Sequence, residues 1–231
     1  MIELRNIHAS VRHKTLFSAD ELKFQAGELV ALVGKNGSGK STFLKALAGL
    51  DSLVQGEIRL HKKTFKFQNS YFPSQIVSYI PVKIVPFGDI SLLDFVLSGK
   101  STSRNFMDIP SFSEQEQALD LLRQFHLEKM ALDSFTQLSD GEQKLALIMR
   151  SVYRNSEILL LDEPESFLDV GNRKLVFEWL KQLAQSGKTI IFSTHQPDLA
   201  AKYVDHFLLI HQENLSMAST NDTERLIERL S

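Results

Sequence analysis

The stretch from residue 29 to residue 50 constrains the fold of this chain more than any other segment. It begins with LVALV, a short apolar run typical of a buried strand, and Leu44 and Leu47 recur at helical spacing near its end. The letters between them, GKNGSGKS, match the pattern G-x-x-x-x-G-K-[ST] in full. A strand, a glycine-rich loop and a helix N-terminus in this order surround an anion with free backbone N–H groups. The sequence therefore predicts a phosphate-binding loop.

Two side chains of this loop have specific expected tasks. Lys40 is expected to reach the β and γ phosphates of a nucleoside triphosphate, and the hydroxyl of Ser41 is expected to ligate magnesium. An ordinary glycine-rich turn is the competing interpretation, but such a turn does not require the full pattern between a strand and a helix. We call residues 34–42 the phosphate loop, and its candidate contacts are Gly34, Lys35, Asn36, Gly37, Ser38, Gly39, Lys40, Ser41 and Thr42.

A second Gly-Lys-Ser-Thr string occupies residues 99–102, but its surroundings differ. Asp94 stands where the first glycine of the pattern belongs, and the preceding LLDFVL has helical rather than strand spacing. The sequence therefore predicts a helix end here and no second phosphate site.

Composition narrows the function classes further. The chain has 231 residues, 43% of them hydrophobic, which is enough to bury a proper core. A formal net charge of -2 and a pI near 6.4 provide no broad basic field, so binding to nucleic acid through bulk charge is disfavoured. The absence of cysteine excludes disulfides and thiolate metal sites, and it fits a cytosolic protein. Because no signal peptide and no apolar run of about 18 residues is recognisable, we expect membrane contact only through a partner.

The distribution of apolar residues predicts an α/β fold in one domain, residues 1–231. Alternating apolar residues at the start favour an antiparallel β layer that leads into the LVALV strand. The runs ILLL, residues 158–161, and TIIFS, residues 189–193, are typical of parallel strands covered on both faces. A helix between them is predicted by the apolar stripe of Leu175, Trp179 and Leu183.

The middle of the chain has a different pattern. Ser113 and Glu116 have the spacing of a capping box. An apolar stripe follows them at Ala118, Leu122 and Phe125. We expect a helical subdomain over residues 88–150, inserted into a core made of residues 1–87 and 151–231.

Asp162 and Glu163 directly follow the ILLL run, and His195 comes just after TIIFS. Parallel strands deliver the residues at their carboxyl ends to one edge of a sheet, so these three side chains are expected to lie close together. Asp162 fits a magnesium ligand acting through water, and Glu163 fits a base for the water that attacks in phosphoryl transfer. His195 is a candidate sensor of the γ phosphate. The alternatives are that the acids cap the next helix and that His195 is an ordinary surface residue.

The segment LSDGEQ, residues 138–143, precedes a helical apolar stripe. The hydroxyl of Ser139, the close approach that Gly141 allows and the positive helix end would form a second anion site. A plain N-cap is the alternative, with Asp140 and Glu142 favoured by the helix dipole.

The motifs GKNGSGKST, LSDGEQ, LLLDEP, SFLD and STH occur in an order that resembles the ATP-binding cassette (ABC) ATPases, over nearly the whole chain. The resemblance implies a P-loop NTPase fold with a RecA-like core, a mostly parallel sheet, an N-terminal antiparallel layer and an inserted helical subdomain. It also implies ATP and Mg²⁺ as cofactors and ATP hydrolysis. A separate integral-membrane permease is the implied partner, which would hold the chain at the cytoplasmic face of the membrane.

The resemblance also assigns roles to individual residues. Two cassettes would enclose two ATP molecules head to tail, so that Ser139 and Gly141 of one subunit face the γ phosphate held by Lys40 of the other. The remaining site residues that it implies are the catalytic Glu163, the switch histidine His195 and the D-loop residue Asp169.

One departure from the family's pattern concerns the base. Val11 stands where an aromatic residue usually stacks on adenine. Arg12, His13 and Phe17 are the alternatives that the neighbouring sequence offers.

A second departure concerns the Q-loop. Val82 follows Pro81 where the family's glutamine is expected, and Gln75 is nearby but out of register. The glutamine usually contacts magnesium and couples the cassette to its membrane partner, so slow turnover is expected. Glu165, in EPE, is a milder departure.

The segments LSDGE, EPESFLD and STHQPDLA are most similar to importer cassettes for iron siderophores, haem or cobalamin. We therefore expect an ATP-hydrolysing subunit that dimerises on ATP and drives a separate permease. A degenerate or regulatory cassette that binds ATP as a switch is the alternative. A chromosome-associated or ribosome-associated protein is disfavoured because the sequence has no long coiled-coil insertion, no second cassette and no basic field.

Overall fold

The computed structural model describes residues 1–12, 14–60, 63–67, 76–83, 88–103, 109–220 and 223, with the backbone alone at 101–103. Its strands are β1 (Ile2–Val11), β2 (Lys14–Phe24), β3 (Leu29–Gly34), β4 (Val54–Leu60), β5 (Lys63–Lys66), β6 (Val77–Ile80), β7 (Ile158–Asp162), β8 (Thr189–Ser193), β9 (His206–His211) and β10 (Asn214–Ser219). Its helices are α1 (Lys40–Leu47), α2 (Leu92–Leu97), α3 (Phe112–Arg123), α4 (Asp140–Tyr153), α5 (Val170–Gln185) and α6 (Pro197–Ala200).

These strands form one sheet in the order β5-β4-β1-β2-β10-β9-β3-β8-β7-β6. Every neighbouring pair from β9 to β6 is parallel. β1 pairs antiparallel with β2 and β4, and β4 pairs antiparallel with β5. The predicted α/β fold, with a parallel core and an N-terminal antiparallel layer, is confirmed.

β3 lies inside the parallel half and is buried on both faces. Leu29, Ala31 and Val33 join the core cluster that contains apolar residues of α2 to α5. Val30 and Leu32 join the cluster on the other face, which contains α1 and the antiparallel layer. Side chains alternate along a strand, so a strand covered on both faces is apolar at every position. The strand that leads into the phosphate loop is therefore held firmly by two cores.

α5 is present as predicted, but its buried face is shifted. Leu175 is 39% exposed, whereas Phe177, Trp179 and Leu180 are buried. Phe177 packs on Phe192 of β8 with ring centroids 5.3 Å apart, and this contact sets the rotation of the helix. Leu175 belongs to the predicted helical stripe but lies outside the buried face of α5.

The capping box of α3 lies two residues earlier than predicted. Ser111 is the N-cap, and its backbone N–H donates to the carboxylate of Glu114 at 2.9 Å. Ser111 and Ser113 both have a glutamate three residues later, so the spacing alone does not separate them. The helix extends to the earlier serine, and it does not start before that serine because Pro110 disfavours helix at Ile109. The predicted stripe is buried at Ala118, Leu122 and Phe125.

The second Gly-Lys-Ser-Thr string lies in a 3-10 turn, Ser98–Ser103, directly after α2. A Cβ at Gly99 would lie 2.4 Å from the carbonyl oxygen of Arg150 in α4. The string is thus a helix end packed against another helix, as predicted.

The predicted boundary between residues 150 and 151 falls inside α4, and the division into core and subdomain remains a prediction. None of the helices in the described ranges has the length and apolar character needed to cross a membrane.

Candidate active site

The phosphate loop connects β3 to α1, with Gly37 at φ 77° and Gly39 at φ 103°. Glycine adopts such angles without steric cost, and a Cβ at Gly39 would also lie 3.0 Å from the ring of Phe17. Gly39 is the N-cap of α1, and no side chain caps this helix. The hydroxyl of Ser38 is buried with no hydrogen-bond partner among the described residues. An uncapped helix start and an unpartnered hydroxyl fit the oxygens of a phosphate.

Lys40 is buried, and its Nζ donates to the carbonyl oxygens of Gly34 at 2.8 Å and Lys35 at 3.4 Å. Burial lowers the pKa of Lys40, whereas the charges of Glu163 and Asp162 oppose that change. The ammonium group therefore lies within electrostatic reach of both acids. Its hydrogen bonds are to neutral carbonyl oxygens of its own loop, and the charged oxygens of a triphosphate are stronger acceptors that could replace them.

Asp162, the last residue of β7, is fixed through both carboxylate oxygens. Oδ1 accepts from the hydroxyl of Ser193 on β8 at 2.5 Å, and Oδ2 accepts from the phenol of Tyr79 on β6 at 3.3 Å. Burial raises the pKa of Tyr79, with the charge of Asp162 adding to the effect, so the phenol keeps its proton. The hydroxyl of Ser193 also accepts from the backbone N–H of Glu163 at 3.0 Å. Three parallel strands thus position one carboxylate.

Glu163 and His195 form a side-chain pair at the carboxyl ends of β7 and β8. Glu163 has φ 47°, a left-handed conformation that is uncommon for a non-glycine residue. Its Oε1 lies 3.0 Å from Nε2 of His195, and its Oε2 accepts from the hydroxyl of Ser166 at 2.9 Å. The predicted grouping of Asp162, Glu163 and His195 is present. The acids do not cap α5, because its N-cap is Asp169.

The chemistry of the donors near the phosphate loop fits magnesium. Mg²⁺ prefers oxygen ligands and keeps several waters, and Ser41 and Asp162 offer a hydroxyl and a carboxylate. Within the described ranges, no group of three or more His, Cys, Asp or Glu side chains could hold a metal by itself. A magnesium ion would therefore depend on Ser41, on Asp162 through water, and on the phosphate oxygens of a nucleotide.

Ser139 and Gly141 open α4, as predicted. Ser139 is exposed and is the N-cap, and its backbone N–H donates to the carboxylate of Glu142 at 2.8 Å. A Cβ at Gly141 would lie 2.9 Å from the carbonyl oxygen of Phe167, so glycine allows α4 to pack against the loop that follows β7. Asp169 ends that loop and accepts from a backbone N–H in the first turn of α5 at 2.8 Å.

The structure excludes one of the three replacements for the adenine-stacking aromatic. Phe17 is fully buried and meets Phe43 edge to face with ring centroids 5.7 Å apart, so the interpretation that Phe17 stacks on a base was wrong. Val11 and Arg12 are exposed at the end of β1. His13 lies outside the described residues.

A cleft of about 440 Å³ lies beside the phosphate loop. β2 contributes Leu16 to its wall, the end of β9 contributes His211, and the turn between β9 and β10 contributes Gln212. Its position makes it a candidate site for the base or the ribose of a nucleotide.

Val82 lies in a bend after Pro81, and Gln75 is outside the described residues. Lys144 of α4 is fully buried and donates to the carbonyl oxygens of Pro81 at 2.7 Å and Asp162 at 2.8 Å. Burial lowers the pKa of Lys144 to about 8. Lys144 was not among the predicted site residues, although a lysine among the apolar positions of a helix is a usable signal. One ammonium group thus joins α4 to the loop after β6 and to the end of β7.

Comparison with known sequences identifies relatives over most of the chain. A family model described as ABC transporter matches residues 17–166. The molybdate import ATP-binding protein MolC of Haemophilus influenzae is 34% identical, over 90% of this chain and 77% of that protein. A Helicobacter pylori protein described as "Probable iron chelatin transport ATP-binding protein" is 28% identical, over 100% of this chain and 91% of that protein.

Solved structures agree with these relatives. A structure described as "An inward-facing conformation of a putative metal-chelate type ABC transporter" has a TM-score of 0.82 and 29% identity, covering 99% of this chain and 88% of that chain. A dimeric ATP-binding cassette bound to ADP and Pi has a TM-score of 0.79 at 23% identity, which supports the fold. The family model spans the phosphate loop, the start of α4 and the acids after β7, whereas Asp169 and His195 lie beyond the matched residues. This chain therefore belongs to the ABC transporter family, as an ATP-binding protein that hydrolyses ATP.

Proposed function

We propose that this chain is the ATP-hydrolysing subunit of an importer for metal chelates, acting as a homodimer on a separate membrane permease. The observation that carries the proposal is the pair of Glu163 Oε1 and His195 Nε2, 3.0 Å apart, at the sheet edge that also holds the phosphate loop. Such a pair next to a phosphate site can orient a water molecule and bind the phosphate that it attacks.

The proposed mechanism uses positioning and charge compensation, because phosphoryl transfer needs little covalent chemistry from the protein. Lys40 exchanges the carbonyl oxygens of its own loop for the β and γ phosphates. Ser41, and Asp162 through a water molecule, would hold Mg²⁺, which would supply positive charge to offset the charge of these phosphates. Glu163 orients the attacking water and accepts its proton. His195 keeps Glu163 in place through Nε2 and contacts the γ phosphate.

The second anion site supports a head-to-tail dimer. Ser139 and Asp140 are exposed at the positive end of α4, and Gly141 is half-buried beside the loop that follows β7. In the proposed dimer these residues face the γ phosphate held by Lys40 of the partner subunit, and Asp169 lies in the adjoining loop.

Metal chelates of the siderophore, haem or cobalamin type are the proposed cargo. The Helicobacter pylori relative, described as "Probable iron chelatin transport ATP-binding protein", and the transporter described as "putative metal-chelate type" support this class, whereas MolC is described as a molybdate import protein. The LSDGE, EPESFLD and STHQPDLA segments support the same class.

Complementation of a deletion strain tests the proposal. Cells carrying the wild type should regain accumulation of iron or cobalt supplied as a chelate, and cells carrying Glu163→Gln at equal expression should not. Accumulation of free manganese or of molybdate alone would contradict the proposed cargo. Equal accumulation with both forms would contradict ATP-driven transport.

Isolation of the tagged chain from native membranes tests the partner. The chain should retain a multi-spanning permease in mild detergent, and the complex should hydrolyse ATP faster than the isolated chain.

Val82 favours a second candidate, a regulatory cassette with little hydrolysis, because valine cannot bind magnesium or water. That candidate predicts equal, negligible turnover for wild type and Glu163→Gln in the complex.

A further inference from the structure

Glu165 carries a carboxyl group that the mechanism above does not use. It lies two residues beyond Glu163 and is only 4% exposed. Its Oε1 accepts hydrogen bonds from the hydroxyl of Thr194 and from the backbone N–H of His195, the latter at 3.3 Å. Its Oε2 is buried and has no hydrogen-bond partner in the part of the chain that the structure describes.

This arrangement does not favour stability. Burial raises the pKa of Glu165, because the charged carboxylate loses hydration that the protein replaces only in part. A buried polar atom without a partner has a further free-energy cost, which a smaller or apolar side chain would avoid. The presence of a carboxyl group at this position therefore requires an explanation other than packing, and its contacts provide one.

Glu163 and Glu165 both contact His195, one at its side chain and the other at its backbone. Glu163 contacts the ring at Nε2, whereas Glu165 accepts from the backbone N–H of the same residue. The hydroxyl of Thr194, which donates to Glu165, also accepts from the backbone N–H of Gln196 at 2.9 Å. The segment 194–196 is thus attached to the loop after β7 by a short network that ends on one carboxyl oxygen.

We propose that Glu165 is a positioning residue of the ATPase reaction, which fixes the loop after β8 so that the ring of His195 stays in register with Glu163. The inference rests on the roles proposed above for Glu163 and His195. Glu165 contacts neither nucleotide nor water in this account. It acts by accepting hydrogen bonds, so an amide should replace it and an apolar side chain should not.

Steady-state kinetics of three variants tests the proposal, after a melting scan has shown that each is folded. Glu165→Gln keeps a carbonyl acceptor, and its kcat should stay within about 3-fold of the wild type. Glu165→Met has a similar size without an acceptor. Because a displacement of about 1 Å can cost on the order of 100-fold, its kcat should fall about 10- to 100-fold while KM for ATP changes by less than about 2-fold. Thr194→Val keeps the shape of the threonine side chain but removes the donor hydroxyl, so its kcat should fall by a smaller factor than in Glu165→Met. This variant preserves the test if Glu165→Met does not fold.

A double-mutant cycle with His195→Ala separates positioning from an independent effect. In the His195→Ala background, Glu165→Met should change kcat by less than about 2-fold, because the residue that it positions has been removed. If Glu165→Met lowers kcat by the same factor in the wild type and in the His195→Ala background, the inference is overturned. Normal turnover in both Glu165→Met and Thr194→Val would also overturn it. Equal losses in Glu165→Gln and Glu165→Met would also overturn it.

The same cycle distinguishes failure of this inference from failure of the proposed function. If His195→Ala alone keeps normal turnover, the role proposed for His195 is wrong, and the inference falls with it. If His195→Ala loses turnover while Glu165→Met does not, the proposed function stands and the inference alone is wrong.

Discussion

Lys40 holds its ammonium group against Gly34 and Lys35 of its own loop, an arrangement that a triphosphate should replace. Magnesium-ATP at about 100 times its dissociation constant should add roughly 2.7 kcal/mol to the free energy of unfolding. Lys40→Ala should lose most of the resulting increase in melting temperature. Lys45→Ala, at an exposed position of the same helix, should keep it. Thermal melts with and without magnesium-ATP measure the difference, and equal increases in both variants would contradict the role of Lys40.

Val82 can neither ligate magnesium nor hydrogen-bond the attacking water, whereas water can fill the place on the metal at little cost to binding. We therefore expect slow hydrolysis by the isolated chain. Val82→Gln should raise kcat several-fold, roughly the effect of a small gain in positioning, with little change in ATP affinity. Gln75→Ala is the comparison variant. A large loss in Gln75→Ala without a gain in Val82→Gln would assign the role to Gln75 instead.

Residues that follow an apolar strand could be located from the sequence, and residues that act through distant contacts could not. Asp162, Glu163 and His195 lie together because the carboxyl ends of β7 and β8 are neighbours in the sheet. Ser193 and Lys144 support Asp162 across 31 and 18 positions of the chain, and no short pattern records such pairs. Their chemical roles remain predictions until variants are measured.

The start of α3 shows what a helix-level pattern can and cannot predict. Ser111 caps the helix, whereas Ser113 lies inside its first turn. Ser111→Ala should lower the free energy of unfolding by about 1 kcal/mol, the usual cost of a lost N-cap. Ser113→Ala is the matched control and should change it by less than about 0.5 kcal/mol. Urea unfolding measures both values, and a larger loss in Ser113→Ala would contradict the observed capping box.

The type of an element could be predicted where apolar periodicity was strong, but the rotation of a helix about its own axis could not. The parallel strands β3, β7 and β8 and the helix α5 were identified correctly, because runs of buried residues and a helical stripe are local properties of the sequence. The parallel strands β6 and β9 were not predicted. The exposed position of Leu175 depends on how Phe177 meets Phe192 on β8, a contact between elements. Tertiary packing therefore decided the buried face of α5.

At the scale of the whole molecule, each chain carries two candidate anion sites of different construction. One is the phosphate loop before α1, and the other is the helix start at Ser139 and Gly141. The sheet gathers the phosphate loop and the acids at one edge, which could be predicted from parallel topology alone. In the proposed dimer, the helix start at Ser139 and Gly141 faces the nucleotide of a second copy of the chain. Because these surfaces meet only in the dimer, the sequence of one chain supports this contact only through the family resemblance.

Light scattering of Glu163→Gln with saturating magnesium-ATP tests the central claim most directly. Glu163→Gln should bind ATP without turnover, so its mass should rise from 26.2 kDa to twice that value only when ATP is present. Adding Ser139→Arg should abolish the dimer, because the bulk of the arginine would keep this helix start away from the nucleotide of the partner subunit. Adding Ser113→Arg, at an exposed position of α3, should leave the dimer intact. A Glu163→Gln protein that stays monomeric with ATP, or a Ser139→Arg form that dimerises normally, would contradict the account.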